Sequence, residues 1–163
     1  MDRSAQTRPL IEMAGRIVLA AVFIYAGVAK ALDPAAFAQS IDGYRLLPYP
    51  AGVALALYLP WIEIAGGAGV LWPRARLGAL ALLFLLCLVF GMAVASAWVR
   101  DLNIGCGCFG GGDIGADALR GSLIRSVVLA LLAGGLLWLE EARCVGMKAL
   151  PPTPGTLSSS DRR

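Results

Sequence analysis

The sequence predicts an all-α fold, a polytopic bundle of four transmembrane helices with a short amphipathic segment in the first outer loop. Three observations predict it. Hydrophobic residues occupy 58% of the 163 positions and charged residues 15%, where a soluble domain has about 45–50% and about 25%. Mean hydropathy is +0.73. The apolar excess is gathered into four runs, each of a length suited to about 30 Å of hydrocarbon. These runs leave little chain for a separate soluble domain. The predicted organisation is one membrane domain at 11–142, a cytoplasmic tail at 1–10, and a largely disordered cytoplasmic tail at 143–163. The lipid bilayer is therefore the first partner. A net charge of +3 is explained by basic residues at membrane edges and gives no case for nucleic acid. The chain has no histidine, which removes the commonest general base and metal ligand.

The first span is expected at 11–32, "IEMAGRIVLAAVFIYAGVAKAL". Its uncharged core is short, so Arg16 and Lys30 are expected to snorkel. The rival reading is a signal peptide, with "AKA" as a cleavage site. Asp33-Pro34 then suits a helix start, because proline in the first turn forfeits no hydrogen bond. Phe37, Ala38 and Ile41 make the following turns amphipathic, with Tyr44 and Tyr49 as interfacial anchors. The second span, 51–72, carries Pro60 and Glu63 inside its apolar run. The third, 77–99, has no charge, and the fourth covers 118–139. Gly66, Gly67, Gly69, Gly134 and Gly135 are expected to let helices approach closely.

Four spans place both termini and the Arg74–Arg76 turn on one side. Arg3, Arg8, Arg74, Arg76, Arg143 and Lys148 lie there, against Lys30, Arg45, Arg100, Arg120 and Arg125 on the other. Six against five favours cytoplasmic termini under the positive-inside rule. The loop "RDLNIGCGCFGGGDIGAD", residues 100–117, then faces outward, where disulfides persist.

Cys106 and Cys108 in that loop are the candidate reactive residues. The letters fit G-x-G-x-x-G, but no βαβ unit surrounds them, so a dinucleotide site is rejected. A zinc or iron–sulfur site needs more ligands. Cys87 lies mid-span and Cys144 falls on the opposite side, so no metal is expected. Thiol–disulfide chemistry remains. A bridge between cysteines at i and i+2 closes a small, strained ring, and strained or exposed disulfides tend to be labile or catalytic. An unreactive pair or a static staple is the competing reading.

Ionisable residues inside a membrane are costly and mark function by default. Lys30, Glu63 and Arg125 are three such residues, and Tyr44 is placed beside them as a supporting polar cluster. Glu63 is expected to face the interior and pair with Lys30 or Arg125, adding positive potential that favours a thiolate. A structural pair fixing helix register is the alternative. Cys87 reads as a small buried apolar residue.

"FIYAGVAKALDPAAFAQSIDGYRLLP", "LPWIEIAGG", "CGCFG" and the "RS" of the fourth span resemble the DoxX-like membrane proteins, specifically their MauE branch. The likeness covers residues 16–139. It implies a four-helix protein of the bacterial inner membrane whose first span is retained, with a redox association. It further implies a periplasmic thioredoxin-like partner and maturation of a disulfide-containing periplasmic protein similar to methylamine dehydrogenase. The expected function is a membrane thiol–disulfide component acting through Cys106 and Cys108. The alternatives are a non-catalytic docking scaffold and a thiol oxidase coupled to membrane quinone, the one cofactor considered.

Overall fold

The computed structural model describes residues 3–100 and 116–148, with side-chain surroundings for 10–100 and 120–142. Among them are helices α1 (Arg3–Leu32), α2 (Pro34–Gly43), α3 (Tyr49–Leu71), α4 (Arg76–Val99) and α5 (Ala116–Lys148), and no strand. Four segments are long and apolar enough to cross a membrane: Leu10–Leu32, Tyr49–Leu71, Arg76–Val99 and Arg120–Ala142. The chain is a multi-pass membrane protein. Helices α1 and α5 run past their apolar windows, α1 back to Arg3 and α5 on to Lys148.

α1 packs most extensively on α3, and α4 on α5, while α3 joins the two pairs through α4. The core draws Leu19 and Phe23 from α1, Val70 from α3, Leu80 and Leu83 from α4, and Ala133 and Leu136 from α5. Most other large apolar residues, such as Leu57, Leu85 and Leu131, face outward. That is the pattern of helices solvated by lipid and held by close packing. Two glycines make the α1–α3 approach possible. A Cβ at Gly27 would stand 2.7 Å from the carbonyl oxygen of Pro60, and one at Gly67 would stand 3.1 Å from that of Ala20. Gly135 behaves differently from the sequence expectation, since a Cβ there meets nothing within 4 Å.

Only Asp33 separates α1 from α2. Its Oδ1 accepts a hydrogen bond of 3.0 Å from the N–H of Ala36, with Pro34 at the first helical position, as the Asp33-Pro34 pair predicts. α2 ends at Tyr44 and Arg45; Arg45 takes the left-handed conformation at φ 51° and its N–H returns to the carbonyl of Asp42. α2 is more deeply engaged than an interfacial segment. Phe37 and Ala38 are buried against Ala56 and Leu59 of α3, with Leu86 and Phe90 of α4 beside them. α2 thus extends the bundle beyond the end of α1. This overturns the expected snorkelling of Lys30: the side chain is 4% exposed, roofed by the helix that follows it.

Candidate functional site

Lys30, in the last turn of α1, meets Glu63, just past the middle of α3. Lys30 Nζ donates to Glu63 Oε1, and the two side chains are 3% and 1% exposed. The register is set by Gly27, whose missing side chain lets α1 lie against Pro60 and the Cβ of Glu63. An ion pair in so apolar a place is tolerated because each charge satisfies the other; either charge alone carries a large desolvation cost. The ammonium has a second set of contacts. It lies 5.2 Å from the ring centroid of Phe37 and 4.7 Å from that of Phe90, within cation–π range.

Glu63 Oε2 is buried and makes no hydrogen bond to the protein. Beside it lies a cavity of about 50 Å3, whose wall includes Cys87 of α4 and Ser122, Arg125 and Ser126 of α5. Lys30, Glu63 and Arg125 therefore share one cavity. Glu63 faces the interior, and its direct partner is Lys30. Arg125 is exposed at the α5 face while still lining the cavity wall. Cys87, 4% exposed, is buried as expected, but its surroundings are more polar than a core cysteine's.

Tyr44 lies elsewhere. It packs with Val94 and Ala97, and its carbonyl accepts a hydrogen bond of 3.0 Å from Arg100 Nη1. It lines a larger apolar cavity of about 500 Å3 between α2, α3 and α4, together with Leu59, Phe90 and Met92. Trp61 is 65% exposed and faces outward from the bundle. Cys106 and Cys108 lie outside the described residues, as does the side chain of Cys144. Both stems of their loop are tied to the bundle: Arg100 to α2 through Tyr44, and Arg120 over the ring of Trp98 at 6.0 Å.

Sequence reasoning passed over Phe90 and Ser122, read Phe37 only as part of an amphipathic turn, and met Ser126 only within the "RS" of the fourth span. The two serines sit four apart on α5, on one helical face with each other and against Arg125, which is the signal that was available. It also missed a charged cluster at the far end of the bundle. Glu140 of α5 accepts from Arg16 of α1 and, at 3.2 Å, from Arg76 of α4, while Glu12 stands 3.4 Å from Arg16. Arg16 is thus paired within the bundle. Glu140→Gln should lower stability by about 1–3 kcal/mol, the scale for a lost charged hydrogen-bond partner. Thermal unfolding in detergent measures it.

The family model described as "Methylamine utilisation protein MauE" matches residues 8–139. The chain is similar to proteins named methylamine utilization protein MauE from three organisms. That of Paracoccus versutus is 38% identical over 136 residues, covering 83% of this chain and 73% of that protein. That of Paracoccus denitrificans is 37% identical over 128 residues, covering 77% and 68%. That of Methylorubrum extorquens is 32% identical over 133 residues, covering 80% and 70%. No solved structure matches. A family model matched over residues 8–139, across the four apolar helices, and relatives at 32–38% identity lead to one assignment: the chain belongs to the MauE family of membrane proteins.

Proposed function

We propose that this chain is a membrane thiol–disulfide component of methylamine utilisation. It exchanges electrons between the Cys106–Cys108 pair and a periplasmic thioredoxin-like protein, and so supports maturation of a disulfide-containing protein similar to methylamine dehydrogenase. The observation that carries the reading is the Cys-Gly-Cys loop of a MauE-family chain. In the step itself a thiolate of the partner attacks one sulfur, a mixed disulfide forms, and the second cysteine is released as thiolate. Attack by the partner's other cysteine on the mixed disulfide leaves the partner oxidised and this pair reduced; the reverse sequence moves the electron pair the other way. The proposed setting is the bacterial inner membrane with termini inside and the cysteine loop outside. The contacts of Arg100 with Tyr44 and of Arg120 with Trp98 bring the flanking ends of α4 and α5 together at one end of the bundle, which supports that placing.

Cys106→Ser and Cys108→Ser should each abolish partner turnover. In the sequence that reduces the partner, one of the two should trap a covalent complex on a non-reducing gel, because the thiolate that attacks the partner's disulfide remains while the cysteine that resolves the mixed disulfide is gone. A docking scaffold predicts that both variants bind, trap nothing and still support maturation. Cysteine labelling in intact cells should reach residues 105–112 from outside and leave the Arg74–Arg76 turn protected; labelling of the loop only after lysis would remove the oxidising compartment.

The 500 Å3 apolar cavity beside Tyr44 favours a second reading. In size and lining it suits a lipid-soluble quinone, which supplies a two-electron acceptor for the pair. The reduction potential of the cysteine couple, measured in membranes with and without quinone, separates the two readings.

A further inference from the structure

Glu63 uses one carboxylate oxygen on Lys30 and has the other free of protein partners, at 1% exposure. A buried carboxylate oxygen without a hydrogen bond is costly, and native structures satisfy such atoms with protein or water. The cavity beside it, about 50 Å3, exceeds the minimum for one water, about 10–15 Å3 of probe-occupied volume. Its wall offers the hydroxyls of Ser122 and Ser126 as partners. Ser122 is 4% exposed, Ser126 half-buried and Arg125 exposed, so polar groups lead from Glu63 toward the Arg120 end of the α5 span.

We propose that Glu63 is a proton-exchange site inside the bundle, reached by water through the Ser122–Ser126 side of this cavity. A hydronium ion gives its proton to Oε2, producing the carboxylic acid and one water; the reverse step returns it. Protonation removes the anion opposite Lys30 and so costs stability, a cost reduced by the faces of Phe37 and Phe90, which the ammonium keeps at 5.2 and 4.7 Å. Among the described residues, the groups facing Glu63 are Lys30 from α1, the Cys87 thiol from α4, and Ser122, Arg125 and Ser126 from α5; α2 contributes no charged side chain to that wall. Each proton bound weakens the α1–α3 link, so the site joins proton occupancy to helix contact. It stands apart from the thiol–disulfide reading and does not need it.

The test is infrared spectroscopy of the full chain in liposomes, titrated with acid and then transferred to D2O. A protonated-carboxyl stretching band should grow on acidification, shift in D2O and vanish in Glu63→Gln. Ser122→Val and Ser126→Val, which fill the route without touching the carboxylate, should keep the band and slow its deuterium shift by an order of magnitude or more. Absence of a Glu63-dependent band over the range in which the protein stays folded would overturn the proposal. So would a band whose deuterium shift is as fast in both serine variants as in the native chain, which removes the route. Either result leaves the cysteine experiments unaffected.

Discussion

Glu63→Leu alone should cost the bundle about 3–5 kcal/mol, the range for breaking a buried pair by removing one partner. The loss comes less from the missing attraction than from Lys30, left as a cation at 4% exposure beside two aromatic faces. Lys30→Met should cost a similar amount, because Glu63 then loses the one protein group matched to its carboxylate. The double variant Lys30→Met/Glu63→Leu should recover most of the stability, since an apolar pair of similar volume fits the same site. Equilibrium unfolding in detergent across the four proteins gives the coupling directly. Additive losses would mean that the two charges are held independently, and the pair would then explain neither the α1–α3 register nor the burial of Lys30.

Gly27→Ala should be nearly as damaging, although it adds a single methyl group. The new Cβ meets the Pro60 carbonyl oxygen at 2.7 Å and the Ile64 Cγ1 at 2.7 Å. The isoleucine can rotate; the backbone carbonyl cannot. α1 must therefore lift from α3, at a cost of about 1–3 kcal/mol for overpacking, and the Lys30–Glu63 contact lengthens with it. Gly135→Ala is the matched control. Its Cβ meets nothing within 4 Å, and replacing a helical glycine by alanine gains up to about 1 kcal/mol in propensity. Loss at 27 with no loss at 135 would separate helix approach from glycine content.

The contrast between these two glycines shows how far the sequence could be read. Four apolar runs mark four spans because lipid imposes length and composition on any helix that crosses it. Glu63 was legible as an interior residue for the same reason: a carboxylate has nowhere else to go. Its choice of Lys30 as direct partner was not, because helix register depends on where Gly27 and Gly67 let backbones touch. Gly135 looked the same in sequence and proved to face open space. Phe90 was hidden by its ordinariness, since any apolar residue suits a span, and Phe37 was legible only as part of an amphipathic turn. The Arg16–Glu140 contact joins residues 124 positions apart, which no local pattern signals. α2 was readable as a helix from Asp33-Pro34, but its insertion against α3 and α4 was not, because its apolar face suits lipid and protein equally.

The Arg16–Glu140–Arg76 cluster has a consequence for how the chain is made. Its acceptor lies in the final helix, whereas its two donors lie in the first span and in the turn opening α4. A nascent chain therefore carries both guanidinium groups before Glu140 leaves the ribosome. Arg16 has an interim companion one turn back, Glu12 at 3.4 Å, a spacing that forms within a single helix. Arg76 waits at a helix start, where its charge can remain among lipid headgroups. Only the arrival of α5 draws the two together at one carboxylate. Insertion of the last helix thereby becomes the event that locks the first, and a chain halted before Glu140 would present an end with Arg76 unmatched and Arg16 held by Glu12 alone.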